Sequence, residues 1–365
     1  MSHAPQSAIP SADFASSYSD SFAAILGQCG VSLLLSTYQA GRLIAVSAVG
    51  DALHTHFVRA DKPMGLAANP QRLMLATRRE LREYYNVPAL AKRIARSPPR
   101  DAVYALRNVH LTGDIDAHEV ALSDDAVYYV NTLFSCLCRH TTGHSFAPIW
   151  RPPFVSSYAP EDRCHLNGLA LRDGAPRWLT ALGTSDQPQG WRANKASGGV
   201  LLDVVEHTIV TTGLSMPHSP RWHQGRLWLL ESGKGSLASI DPESGRLTEV
   251  LRLPGFTRGL DFAGDYAFVG LSQLREPNAF AQIPLTDSGG ARACGVWVVD
   301  LRHGQIVGSL QFSGRVQELF AVSVLAQSRY PELIEADSAL LDTTYALPDA
   351  ALAELRLSPP SDDER

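Results

Sequence analysis

Between residues 31 and 59 apolar and polar side chains form three short runs, 31–36, 42–49 and 54–59, interrupted at Gly41 and at Gly50-Asp51. Short apolar or alternating runs bounded by turn residues predict strands. The same texture continues to about residue 335. Residues 221–255 are the clearest stretch: strand, tight turn at Gln224-Gly225, strand, Gly-rich turn, strand, turn at Gly245, strand. Such a stretch predicts one four-stranded antiparallel unit. Helix is predicted only at the margins, over 21–27 with Asp20 as N-cap and over 349–355 after Pro348.

The strands fall into a weak repeat. A phrase of small and apolar residues recurs as PMGLA, AHEVA, LNGLA, PHSPR, TRGLD and QELFA. Its second residue is Met64, His118, Asn167, His218, Arg258 and Glu318, at steps of 54, 49, 51, 40 and 60 residues. Repeats of this length built from short strands predict a β-propeller. Each of the first five phrases opens a set of strands, continuing at 73–77, 126–131, 177–181, 227–231 and 266–270. The sixth has one clear strand after it, and the three strands before Met64 lack an inner strand. Joining them predicts an all-β, six-bladed propeller over 21–335, closed by N- and C-terminal strands in one blade. That closure removes the open edges of the ring. Residues 1–20 are predicted to be a disordered leader, and 336–365 a rim extension and polar tail. The segments 81–108 and 184–199 are predicted to be insertions.

Composition narrows the function. Net charge is −5 with a pI near 6.2 and no basic stripe, which argues against nucleic acid. No apolar run approaches 18 residues, so no membrane span is predicted. The N-terminus lacks the basic and apolar regions of a secretory signal. The five cysteines are sparse and odd in number, which points to a reducing, cytoplasmic location. Cys136 and Cys138, with His140 and Cys164-His165, could bind metal. Buried strand thiols are the favoured reading, because no CxxC pair is present.

As innermost strands, the phrases would line the tunnel with the column residues. Strand alternation would set His165 beside Asn167 and Asp116 beside His118. Three histidines from consecutive blades, His118, His165 and His218, would then face one axis. Neutral imidazole is the commonest transition-metal ligand, and three with an open position suit a catalytic divalent ion such as zinc, iron or copper. The competing reading has them only hydrogen-bonding between blades. Arg258 could grip a substrate carboxylate or an oxyanion. Glu318 could be a fourth ligand or general base, or the two could simply pair. Tyr38 is a weaker acid–base candidate. Asn167, Trp191 and Arg192 are candidate substrate contacts, the last two on a loop that either closes over the site or is anchored by its Trp. Glu119 and Arg221 lie off the column.

The phrases LLLSTYQAGRLIAV, CHLNGLAL, MPHSPRWHQGRLWLLESGKGSL and PGFTRGLDFAGDYAFVGLS resemble an uncharacterised family of bacterial conserved hypothetical proteins, over roughly 20–335. More remotely the chain resembles six-bladed propellers of the gluconolactonase, strictosidine synthase and peptidyl amidating lyase kinds. The lactonase resemblance implies calcium held by Asn and carboxylates, matched here by Asn167 and Glu318, with His where further carboxylates would stand. The amidating-lyase resemblance implies zinc on three tunnel histidines with an Arg and a Tyr, an inventory His118, His165, His218 and Arg258 match better. The sequence therefore favours a metal-dependent hydrolase or lyase for a small polar, anionic substrate. The alternative is a non-catalytic scaffold whose rim meets a protein partner.

Overall fold

The computed structural model describes residues 12–94, 97–274, 282–287 and 293–354. Residues 1–11 of the predicted leader, 95–96 of the 81–108 segment and the polar tail lie outside the described residues. Six sheets form a ring of blades. Their inner strands are Leu66–Ala68, Ala117–Leu122, Leu166–Arg172, Pro217–His223, Phe256–Ala263 and Ala321–Leu325, in blades 1 to 6. Each packs on the next, and the sixth on the first. Blade 6 joins the two ends of the chain as the pattern predicts. Ala321–Leu325 pairs antiparallel with Ser32–Ser36, Leu34 opposite Ser323, and Arg42–Val49 and Ala52–Arg59 follow outward.

The core is a set of apolar wedges between neighbouring blades. A strand inside a blade therefore buries both faces, and its sequence reads as a continuous apolar run. Leu33 and Leu35 enter the wedge toward blade 5, while Leu34 enters the wedge toward blade 1. Leu227 and Leu229 face blade 3, whereas Trp228 and Leu230 face blade 5.

Hydroxyls at the ends of second strands peg blade to blade. Ser36 donates to Met64 O (2.6 Å), Thr132 to Leu166 O (2.5 Å), Ser232 to Thr257 O (2.5 Å) and Ser272 to Leu319 O (2.9 Å). All four donors are buried. Removing one strands a buried carbonyl, which costs about 1–3 kcal/mol. Thr132→Val should lose that amount in urea unfolding, and Thr132→Ser, which keeps the hydroxyl, much less.

Glycines in the phrases permit this close approach. At Gly65 a Cβ would lie 2.8 Å from the Glu119 carbonyl carbon, and at Gly168 it would run into Pro220 and Thr180.

Three expectations are corrected. Residues 81–108 are mostly not an insertion: Glu80–Asn86 and Ala102–Leu111 are the two outer strands of blade 1, linked through a 3₁₀ turn at Pro88–Arg93. Their Arg, Glu and Tyr content reflects the solvated outer edge. The leader is not disordered throughout, since Ser16–Tyr18 adds a fifth strand to blade 5, Tyr18 opposite Leu310. The sixth phrase is followed by a second strand, at the end of the predicted propeller segment: Pro331–Leu333 runs parallel to Ala102–Leu111, and Glu332 meets buried Arg100 at 2.6 Å. Both additions cover outer edges that would otherwise invite pairing.

The first helix, Asp20–Cys29, is longer than predicted, with Ser19 rather than Asp20 at the N-cap. Gly30 (φ 67°) ends it, its N–H bonding to Leu26 O. Phe22, Ala23, Ile25 and Leu26 pack into the wedge between blades 5 and 6. The last helix, Asp349–Glu354, matches its prediction and buries none of its residues.

Candidate functional site at the tunnel mouth

The site is built from a repeated local bend. Two residues before the column position, Lys62, Asp116, His165 and Met216 have φ of 50, 50, 50 and 47°. Non-glycine residues rarely adopt this conformation, at a cost of roughly 1–3 kcal/mol each. The bend turns a carbonyl back onto the column residue. His118 Nδ1 lies 3.0 Å from Asp116 O, and His218 Nδ1 lies 2.9 Å from Met216 O. In blade 3 the bent residue is the histidine itself, and a carboxylate takes the carbonyl's place. His165 Nδ1 lies 3.0 Å from both oxygens of Asp162.

These partners fix the tautomers. A carbonyl or carboxylate oxygen only accepts, so each Nδ1 carries a proton, and in the neutral ring Nε2 is then the nitrogen with the lone pair. Ser232 confirms the assignment for His218: its hydroxyl donates to Thr257 O, so at 2.9 Å it accepts from Nδ1. Burial holds His118 well below the ordinary imidazole range, with His165 and Arg258 adding to the shift. Burial also holds His218 well below it, followed by Arg258 and His165. Both are neutral at neutral pH.

A cavity of about 430 Å³ opens at this end of the tunnel, with His118, His165, Arg258, Glu318, Tyr38 and Arg192 in its wall. Below it is a waist of about 10 Å³, lined in part by His118, His218, Asn167 and Arg258. Rings of His118 and His165 meet edge to face at 4.8 Å. Among the described residues no three His, Cys, Asp or Glu side chains form a ready-made ligand group. His118 and His165 are in ring contact, with His218 one blade on.

Arg258 lies with its guanidinium over the Phe320 ring, 3.5 Å from the ring centre. Its Nη1 is 3.7 Å from Glu318 Oε1, an ion pair too long to be a hydrogen bond. Burial lowers its pKa, and Glu318 opposes the shift. Tyr38 stacks on the same residue, its ring 5.5 Å from that of Phe320.

Other expected residues serve the wall. Asn167 donates to Pro217 O (3.0 Å) and accepts from Thr180 (2.6 Å), so both ends of its amide are engaged. Trp191 is buried, packs its ring at a tilt against His165 at 4.4 Å and donates to Asp162 Oδ2 at 3.0 Å. It anchors the 184–199 loop, and it is Arg192 that reaches the cavity. Met64, at the first column position, is fully buried in the wedge between blades 6 and 1. Cys136 and Cys138 touch each other (Sγ–Sγ 3.7 Å) in the wedge between blades 1 and 2, while Cys164 packs between blades 2 and 3. The cysteines are thus split between separate parts of the core.

Sequence reasoning missed Asp162, Phe320 and the tunnel pair Glu119–Arg221. Asp162 had a signal, a carboxylate three residues before a histidine. Glu119 and Arg221 had none, because they come from blades 2 and 4. Their side chains meet at 3.0 Å.

Comparison with known proteins now places the chain. Residues 20–334 match a domain of unknown function, DUF4915. The chain belongs to this family. No curated protein matches it. Among solved structures, a chain in a nidogen/laminin complex is similar with a TM-score of 0.54 at 10% identity, covering 81% of this chain and 99% of that one. A protein of unknown function from Bacteroides caccae is similar with a TM-score of 0.49 at 9% identity, covering 81% and 98%. At such identities the likeness to the first structure concerns the fold alone. No helix among the described residues of this DUF4915 member is long and apolar enough to cross a membrane.

Proposed function

We propose that the tunnel mouth is the active site of a metal-dependent enzyme, of hydrolase or lyase type, acting on a small anionic substrate. One observation carries this reading. Three imidazoles from three consecutive blades each have Nδ1 at an acceptor oxygen, His118 and His165 in the wall of the cavity that Arg258 enters and His218 in the waist beneath it. Engagement of the second nitrogen by a carbonyl or carboxylate is what orients metal-bound histidine. Neutral rings are what a metal ligand requires.

His118, His165 and His218 would hold the ion, which would supply an activated water or polarise a carbonyl. The surrounding residues divide the remaining work. Arg258 takes the substrate's negative charge and fixes its orientation. Glu318 and Tyr38 stand in the same wall, where a carboxylate can accept a proton and a phenol can donate one. Trp191 and Asp162 hold the His165 ring in place. Five free thiols suit a reducing interior, and we assign the enzyme to the cytoplasm.

Metal analysis of purified protein tests the reading. About one divalent transition-metal ion per chain is expected, and chelator should lower the melting temperature. A metal-free protein that cannot be loaded with zinc, iron or copper, and whose melting is indifferent to chelator, would leave the scaffold reading in its place.

A further inference from the structure

We propose that the substrate binds through a single carboxylate, rather than through a phosphate or sulfate ester. This rests on the reading of the tunnel mouth as an active site and specifies its substrate class.

The first argument is the state of Arg258. Its side chain is 13% exposed, yet among the described residues its contacts are an ion pair at 3.7 Å and a stack on Phe320. Among the described residues none of its N–H groups has a hydrogen-bond partner. A guanidinium this far buried is costly unless an anion meets it. Phe320 covers one face of the guanidinium plane, so the ligand is met at an edge. An edge presents two parallel N–H groups, the match for a planar carboxylate held bidentately.

The second argument is charge. The cavity wall carries Arg258 and Arg192 as cations and Asp116, Asp162 and Glu318 as carboxylates. Lys62 meets Asp116 at 2.7 Å and brings the local sum to zero. A monoanion needs one available guanidinium edge. A phosphate ester carries close to two negative charges at neutral pH, and these side chains by themselves, without a metal ion, offer it no net positive field. The walls flanking Arg258 are Phe320, Phe256 and Tyr38, which suit the carbon skeleton of an organic acid.

The experiment is calorimetric titration of the metal-free and the metal-loaded protein with glycolate, pyruvate, inorganic phosphate and sulfate. At least one monocarboxylate should bind at least tenfold more tightly than phosphate or sulfate in both forms. Arg258→Lys should lose most of that affinity while melting like the parent, because an ammonium cannot reproduce the fork. If Arg258→Lys does not fold, Glu318→Gln decides. Removing that negative charge should raise carboxylate affinity several-fold and narrow the gap to phosphate. Tighter binding of phosphate or sulfate than of either acid overturns the proposal, as does carboxylate affinity that ignores both substitutions. Metal content is read separately. Carboxylate binding by a protein that holds no metal sinks the catalytic reading and keeps the substrate class. Metal loading with a preference for phosphate does the reverse.

Discussion

His218→Ala is expected to lower the affinity for divalent metal by about 100-fold or more while leaving the propeller folded. The size follows from comparison with outer-shell changes, which typically cost 10–100-fold in metal affinity; loss of a ligand should reach or exceed that range. The fold should survive because Ser232 keeps its peg to Thr257 O when the imidazole is removed. What is lost to stability is the Nδ1–H bond shared by Met216 O and Ser232, worth about 1–2 kcal/mol. Zinc titration with a competing chelator reads the affinity, and urea unfolding reads the stability. Asp162→Asn should fall in the 10–100-fold range, since the amide still reaches His165 Nδ1 but no longer as a carboxylate. His223→Ala is the control, because that ring stacks on Phe262 at the opposite end of its strand. Equal zinc affinity in His218→Ala and the parent would remove His218 from the site.

How much of this was legible in the sequence depends on how local the cause is. Blade closure was legible because three strands without an inner partner, and one inner strand without outer ones, can only complete each other. The column at His118, His218 and Arg258 was legible because the phrase repeats at blade length. The side-chain directions were less so. Strand alternation was expected to carry His165 and Asn167 the same way, but the left-handed bend at His165 breaks the alternation. The ring goes to the cavity and the Asn167 amide stays in the wall. No composition signal marks a histidine at positive φ.

Outer strands were the other blind spot. Glu80–Asn86 and Ala102–Leu111 carry Arg, Glu, Tyr and Asn at the solvated edge of blade 1, and their polarity mimics a loop. The parallel strand Pro331–Leu333 depends on a partner more than 220 residues away, which local pattern cannot anticipate. The same holds for the tunnel ion pair. Glu119 and Arg221 were set aside because each lies one step or more from the column, yet both point to the axis and meet there.

That pair is where the largest loss of stability is expected. Arg221→Ala should destabilise the chain by about 3–5 kcal/mol at neutral pH, the usual result of leaving a buried charge without its partner. Glu119 is 6% exposed at the side chain, and its carboxylate has Arg221 Nη2 at 3.0 Å. Asp261 is a second carboxylate on the same part of the axis, accepting from Val324 N–H at 2.7 Å and Phe262 N–H at 2.9 Å. Burial raises both acids above the ordinary carboxylate range even with Arg221 present, and Arg221 opposes that shift in each. Burial would lower Arg221, but Glu119 and Asp261 hold it above its ordinary value. The pH dependence follows. An acid whose folded pKa is raised binds more protons folded than unfolded between its two pKa values, so stability falls as pH rises through that window. Removing Arg221 takes away the opposing charge, moves the folded pKa values further up and widens the window toward neutrality. The deficit of Arg221→Ala should therefore shrink steadily as pH is lowered from 7 toward 5, where the stranded carboxyls take up protons. Glu119→Gln combined with Arg221→Met should recover most of the loss, because an uncharged pair of similar volume has no charge left to bury. Urea unfolding of the parent, the single and the double variant at several pH values measures all of this. A single variant that loses under 1 kcal/mol, with a deficit that does not change with pH, would show that water reaches the Glu119 carboxylate and that the waist of the tunnel is wet.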